Sequence, residues 1–154
     1  MTVNAEQRLA QLGLSLPPLT KPRFSYVPFR RAGDQIFISG QVPRLADGTA
    51  LAGKVGKDKS IDEARDAARV CALQILALAR SVTGSLEDIE MLKVFGMVNA
   101  VPEFTEQPLV IEACSSLLLE ILGERGQHAR SAIGVGSLPG NAMVEIEAVA
   151  RVVV

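Results

Sequence analysis

The 154-residue chain has no tryptophan, one tyrosine, one histidine and two cysteines. Each scarcity removes a class of chemistry. Aromatic residues at 4 % leave no interleaved set of rings on which successive bases could stack. A lone His128 beside two cysteines cannot supply the clustered ligands of a metal site, so no metal is expected. Cys71 and Cys114 both fall on apolar helical patterns and read as buried, reduced packing residues. Charge of one sign is also missing. Sixteen basic and 17 acidic residues leave a net charge of -1 and no electrostatic footprint for nucleic acid, which is not an expected partner. No run of about 18 apolar residues occurs, so no membrane span is expected. The opening MTVNAEQRLAQLG lacks a basic stretch followed by an apolar core, so it does not read as a secretory signal. With no disulfide framework either, a cytoplasmic location is expected.

Two glycine-rich segments invite readings that their spacing rejects. Gly53-Lys54-Val55-Gly56-Lys57 resembles part of a phosphate loop, but it lacks the GxxxxGK[ST] spacing and a strand-to-helix context. Gly134-Val135-Gly136 lies inside a strand pattern, where small residues mark close approach of a neighbouring backbone or a ligand. His128 has no obvious partner for general-base work and reads as a surface or strand-entry residue.

What is present is a regular alternation of strands and helices over one domain, residues 1–154. Residues 1–20 form an extension, with a short helix over 4–12 ending at Gly13 and a break at Leu16-Pro17-Pro18-Leu19. A strand is predicted over 25–31, with Pro28 confining it to an edge, and a second over 35–42 after a Gly33-Asp34 turn. In the second, Ile36, Ile38, Gly40 and Val42 share one face. Residues 43–59 read as loop with at most a short strand. Ser60 and Glu63 form a capping box, and Ala64, Ala68, Cys71, Ile75, Leu78 and Val82 draw one apolar stripe that Gly84 ends. A strand over 89–100 shows Leu92, Val94, Gly96 and Val98 on one face. A second helix over 106–123 carries Val110, Cys114, Leu117, Leu118, Ile121 and Leu122. Strands over 130–137 and 142–153 then read as a hairpin turned at Pro139-Gly140-Asn141.

Two helices with one stripe each cover one face of one mixed or antiparallel sheet, an α+β arrangement. The other face stays uncovered. In the last strand Val144, Ile146, Ala148, Ala150 and Val152 share one side, yet Val149 and Val153 lie on the other. Apolar residues on both sides call for a second partner surface, and self-association is the economical source.

Arg130 opens an otherwise small and apolar strand and needs a partner. Its planar fork matches a carboxylate in two parallel hydrogen bonds. Pattern alone leaves two options open, a ligand carboxylate or an ion pair with Glu145 or Glu147 that closes the sheet.

The stretch HARSAIGVGSLP…VEIEA closely resembles the C-terminal signature of the RidA/YjgF/UK114 family. Tyr26, then Ser39-Gly40-Gln41-Val42-Pro43, then Asp47-Gly48 fit the same pattern upstream. The resemblance spans about residues 22–154, and the RLAQLG, LPP and YVPF segments look like a longer subgroup. It implies a chorismate-mutase-like fold and a homotrimer with ligand sites between subunits. It also implies hydrolysis of reactive enamines and imines, such as 2-aminoacrylate, to a 2-keto acid and ammonia, without cofactor. By position, Arg130 matches the substrate-carboxylate arginine and Glu145 the acidic residue linked to the hydrolytic water. Tyr26 and Ser39 match polar residues lining the cleft, and Gly40 a backbone contact beside them. Ala132 stands where many members carry cysteine. The alternatives are a non-catalytic module that binds small carboxylates and, on older descriptions of the family, an endoribonuclease or translation inhibitor.

One consequence follows from strand geometry. A hairpin turned near Pro139 or Asn141 sets Arg130 opposite residue 150, on the order of 17 Å along the strand from Glu145. The two side chains are then not expected to meet within one chain.

Overall fold

The computed structural model describes residues 3–153. Helix α1 (Ala5–Gln11) is capped by Asn4, and Gln7 reciprocates in a capping box. The Gly33 turn joins β1 (Phe29–Ala32) to β2 (Gln35–Gln41); β1 forms one edge of the sheet and begins only after Pro28, so the strand expected over 25–31 starts four residues later. Helix α2 (Ile61–Thr83) begins at the Ser60–Glu63 box and stops at Gly84, which adopts the left-handed conformation. Strand β3 (Ile89–Asn99), helix α3 (Gln107–Leu122), β4 (Ala129–Val135) and β5 (Val144–Val152) complete the chain.

The five strands lie in the order β1-β2-β5-β3-β4. The expected C-terminal hairpin is therefore not there. Strand β4 runs parallel to β3, and β5 is antiparallel to both β2 and β3. Helix α3 is the crossover that returns β4 parallel beside β3. The split unit β2-α2-β3 leaves a gap between its strands, and β5 fills it. The sequence of β5 suits that central place: Val144, Ile146, Ala148 and Ala150 are buried. The sequence of β4, with Arg130, Ser131 and Gly134, suits an edge.

Two bulges alter the predicted alternation. Between Met91 and Lys93 the ladder slips, so Met91, Val94, Gly96 and Val98 face the helices and Leu92 does not join them. Between Ile38 and Gln41 it slips again, so Gln41, rather than Gly40, pairs with Ile146.

The core lies between the sheet and the two long helices. Ile75, Leu76, Ile111, Leu117, Leu118 and Ile121 pack against Ile36, Met91 and Ile146. Contact is close enough that a Cβ on Gly96 would lie 2.5 Å from Ile111 Cδ1. No element among the described residues covers the opposite sheet face. It presents Phe37 and Val149 in one row and Glu145, Met97 and Ile133 in another. Phe37 and Ile133 are exposed.

Candidate functional site

The five candidate residues fall into two groups. Ser39, Gly40 and Glu145 gather at one end of the open sheet face, and Tyr26 lies in the segment bonded to Ser39. The Ser39 hydroxyl donates to the Val27 carbonyl at 2.7 Å, and the Ser39 amide donates to the Pro28 carbonyl at 2.9 Å. These bonds pin the segment carrying Tyr26, which is exposed, onto the β2 bulge. The Glu145 carboxylate lies over Gly40, where a Cβ would stand 2.3 Å from its Oε1. Glycine at position 40 is thus what admits the carboxylate to the bulge. Burial pushes the Glu145 carboxyl above the usual glutamate range, and the neighbouring Glu147 adds to the effect.

Arg130 stands apart. It is in register with Val94, which faces the helices, and its guanidinium reaches α3. Arg130 Nη1 donates to Glu112 Oε2 at 2.9 Å and to Ser115 Oγ at 3.3 Å. Of the two options left open by the pattern, the closing pair with Glu145 or Glu147 does not form within the chain, because β3 separates β4 from β5. Glu145 is in register with Met97, three residues beyond Val94. Two strand spacings and three residues put the two Cα atoms about 14 Å apart, with side chains on opposite faces. The separation expected within one chain holds, through an intervening strand rather than a hairpin register.

His128 is more engaged than its sequence context suggests. Its Nδ1 lies 2.7 Å from the Gly126 carbonyl and its Nε2 lies 2.9 Å from Ser115 Oγ. Ser115, only 6 % exposed, thereby joins His128 to Arg130. Sequence reasoning passed over Ser115 and Glu112. Ser115 occupies a helix stripe with Ile111, Leu118 and Leu122, and a hydroxyl in such a stripe was the available signal.

The rejected phosphate-loop segment has a structural role. Lys54 Nζ donates to Asn99 Oδ1 at 2.6 Å and to the Gly136 carbonyl, and Asn99 Nδ2 donates to Asn141 Oδ1 at 3.0 Å. Together they tie the 43–59 loop to the ends of β3 and β4. No helix among the described residues is long and apolar enough to cross a membrane.

A five-stranded mixed sheet with two long helices on one face is an α+β, chorismate-mutase-like architecture. The chain belongs to the YjgF/RidA family: the family model described as "YjgF/chorismate_mutase-like, putative endoribonuclease" matches residues 6–152, so the match takes in helix α1 as well. Protein TCP17 of Trypanosoma cruzi is 38 % identical over 96 % of this chain and 96 % of its own length. The crystal structure of Atu1372 from Agrobacterium tumefaciens, a protein of unknown function, is 42 % identical and superposes with a TM-score of 0.87. That likeness covers 96 % of this chain and 93 % of Atu1372. At 23 % identity the fold is still shared with E. coli TdcF, solved with bound serine, with a TM-score of 0.61 over 88 % of this chain and 92 % of that one.

Proposed function

We propose that this chain hydrolyses small 2-imino and enamino acids to 2-keto acids and ammonia, in a site that a second copy of the chain completes. The observation that carries the reading is the division of labour between Arg130 and Glu145. One is a cation bonded to α3 at a sheet edge, and the other is a half-buried carboxyl on the opposite, open face. Neither group serves the other within the chain, yet they are the two parts the reaction needs.

Arg130 Nη1 is occupied by Glu112 and Ser115, and no hydrogen bond among the described residues engages Nε or Nη2. That remaining edge is the planar pair that receives a carboxylate in two parallel bonds. Serine, bound in the TdcF structure, carries the same α-carboxylate group. An enamino acid first tautomerises to the imino acid. Water then adds to the C=N carbon, giving its proton to Glu145 as its oxygen bonds to carbon. The same carboxyl returns that proton to nitrogen, giving a carbinolamine; it then carries the hydroxyl proton to the same nitrogen, so that the C=O bond forms as the C–N bond breaks, and ammonia and the keto acid leave. A carboxyl held above its ordinary pKa suits both steps. The Ser39 proton is committed to Val27, so Ser39 takes part as an acceptor, and Tyr26 supplies a hydroxyl at the rim. A ring of three copies, seating the β4 edge of one against the open face of the next, would bring both parts together and cover Phe37 and Ile133.

The ribonuclease activity in the family's description finds little to work with here. Both nitrogens of the only histidine are engaged, and the net charge is -1. The decisive assay generates imines in situ with an amino-acid oxidase and follows keto-acid and ammonia release. Acceleration by the wild type that disappears in Arg130→Ala is expected. No acceleration with any amino acid overturns the reading in favour of a carboxylate-binding module.

A further inference from the structure

Ser115 and Asn99 are the buried polar residues of the described chain. Asn99 is accounted for by the loop it fastens. Ser115 on α3 is bonded both to His128, in the connection between α3 and β4, and to Arg130 on β4. Its neighbour Ser116 bonds back to the Glu112 carbonyl at 2.8 Å, the usual outlet for a helical serine. The Ser115 hydroxyl is turned instead to His128.

The direction of each bond in this group can be assigned. A backbone carbonyl only accepts, so His128 Nδ1 carries the proton given to Gly126. In the neutral imidazole Nε2 then accepts, and the Ser115 hydroxyl donates to it. With its proton spent, Ser115 Oγ turns a lone pair to Arg130 Nη1. The start of the chain is itself fixed. A Cβ on Gly126 would lie 2.5 Å from the Leu118 carbonyl, so this backbone is seated directly on α3. Glu112, half-exposed, takes the other Nη1 proton from the solvent side.

We propose that His128 and Ser115 are positioning residues for Arg130, a relay that starts at the Gly126 carbonyl and fixes the plane of the guanidinium. Its purpose rests on the reading of Arg130 as the carboxylate anchor. A guanidinium bonded only to the half-exposed Glu112 could rotate about its long side chain. One bonded also to a buried, singly oriented hydroxyl keeps its Nε–Nη2 edge turned outward before the ligand arrives, which lowers the ordering cost of binding. Neither residue reaches the reacting atoms, so the relay sets affinity and not the chemical step.

The test combines two readouts on the full-length protein, for Ser115→Ala, His128→Ala and His128→Gln. The first is 15N relaxation of the Arg130 Nε–H group, which needs no ligand. The second is the affinity for pyruvate, with KM and kcat for the imine derived from alanine. Ser115→Ala and His128→Ala should mobilise Nε–H, weaken pyruvate binding and raise KM about tenfold, and leave kcat within about twofold. His128→Gln, whose side-chain oxygen can accept from Ser115, should stay near wild type. A purely structural role would lower thermal stability and leave KM unchanged. If His128→Ala does not fold, Ser115→Ala, one atom smaller at a helical position, still decides. An unchanged Arg130 Nε–H signal in Ser115→Ala overturns the proposal. A mobilised signal in a protein whose wild type neither binds pyruvate nor turns over imines upholds the relay and overturns the carboxylate reading.

Discussion

Arg130 and Glu145 project from opposite faces of the same sheet, two strands apart, with β3 between their strands. Their separation is a property of topology and not of side-chain conformation. A rotamer change cannot bring them together, so any chemistry that uses both needs a second copy of the chain.

Gly40→Ala should separate catalysis from stability. The three atoms nearest the added Cβ all belong to the flexible end of Glu145, so the carboxylate moves and the fold survives. Imine hydrolysis is expected to fall roughly a hundredfold, the scale associated with a displacement of about 1 Å at a reacting group. The melting temperature should change little. A large fall in melting temperature with unchanged activity would show that Gly40 serves only the bulge.

Glu145 sets a pH dependence with a definite sign. Burial raises its folded-state pKa, so between the ordinary glutamate value and that raised value the native state holds its proton better than the unfolded state does. Its contribution to stability is therefore present at low pH and is lost as pH rises through the raised value. Glu145→Gln should melt higher than wild type at pH 7, with the difference vanishing below about pH 4. Melting curves of both proteins across that range check the sign.

The two cysteines should be silent. Burial pushes the Cys114 thiol up to about 12, with Arg130 nearby pulling the other way, and burial raises Cys71 well above its ordinary value. A thiol reagent at pH 8 should leave the native protein unlabelled and titrate both residues in denaturant. Rapid labelling of native protein would contradict this placement.

Gly96→Ala tests the seating of α3 on the sheet. The new Cβ would press on three atoms of Ile111 at 2.5–2.8 Å inside the core. Overpacking of this kind costs about 1–3 kcal/mol, readable by denaturant unfolding.

The local elements were legible because their signals are local. The Ser60–Glu63 box, the α2 stripe and Gly84 specify a helix from end to end, and the structure agrees almost residue for residue. Sheet order is a long-range choice, and two adjacent strands with a Pro139-Gly140-Asn141 link read as a hairpin. Only the parallel return through α3 reveals that β3 intervenes. The bulges at Gly40 and Leu92 leave no mark in alternation, because a single inserted residue exchanges faces without changing composition. Tyr26, Ser39, Gly40 and Glu145 were named from motif; Ser39, Gly40 and Glu145 lie together at one end of the sheet, with Tyr26 in the segment bonded to Ser39. Ser115 and Glu112 were missed because their meaning lies in Arg130, which only the fold brings to α3.

The shared site is tested most directly by mixing. Arg130→Ala and Glu145→Gln subunits, each inactive alone, are unfolded together and refolded at equal concentration. If each site takes its arginine from one subunit and its glutamate from the next, random assembly leaves about a quarter of the sites intact. The account predicts imine hydrolysis at about a quarter of the wild-type rate from the mixture. A mixture as inactive as its components, in assemblies verified to contain both, would contradict a site built between subunits.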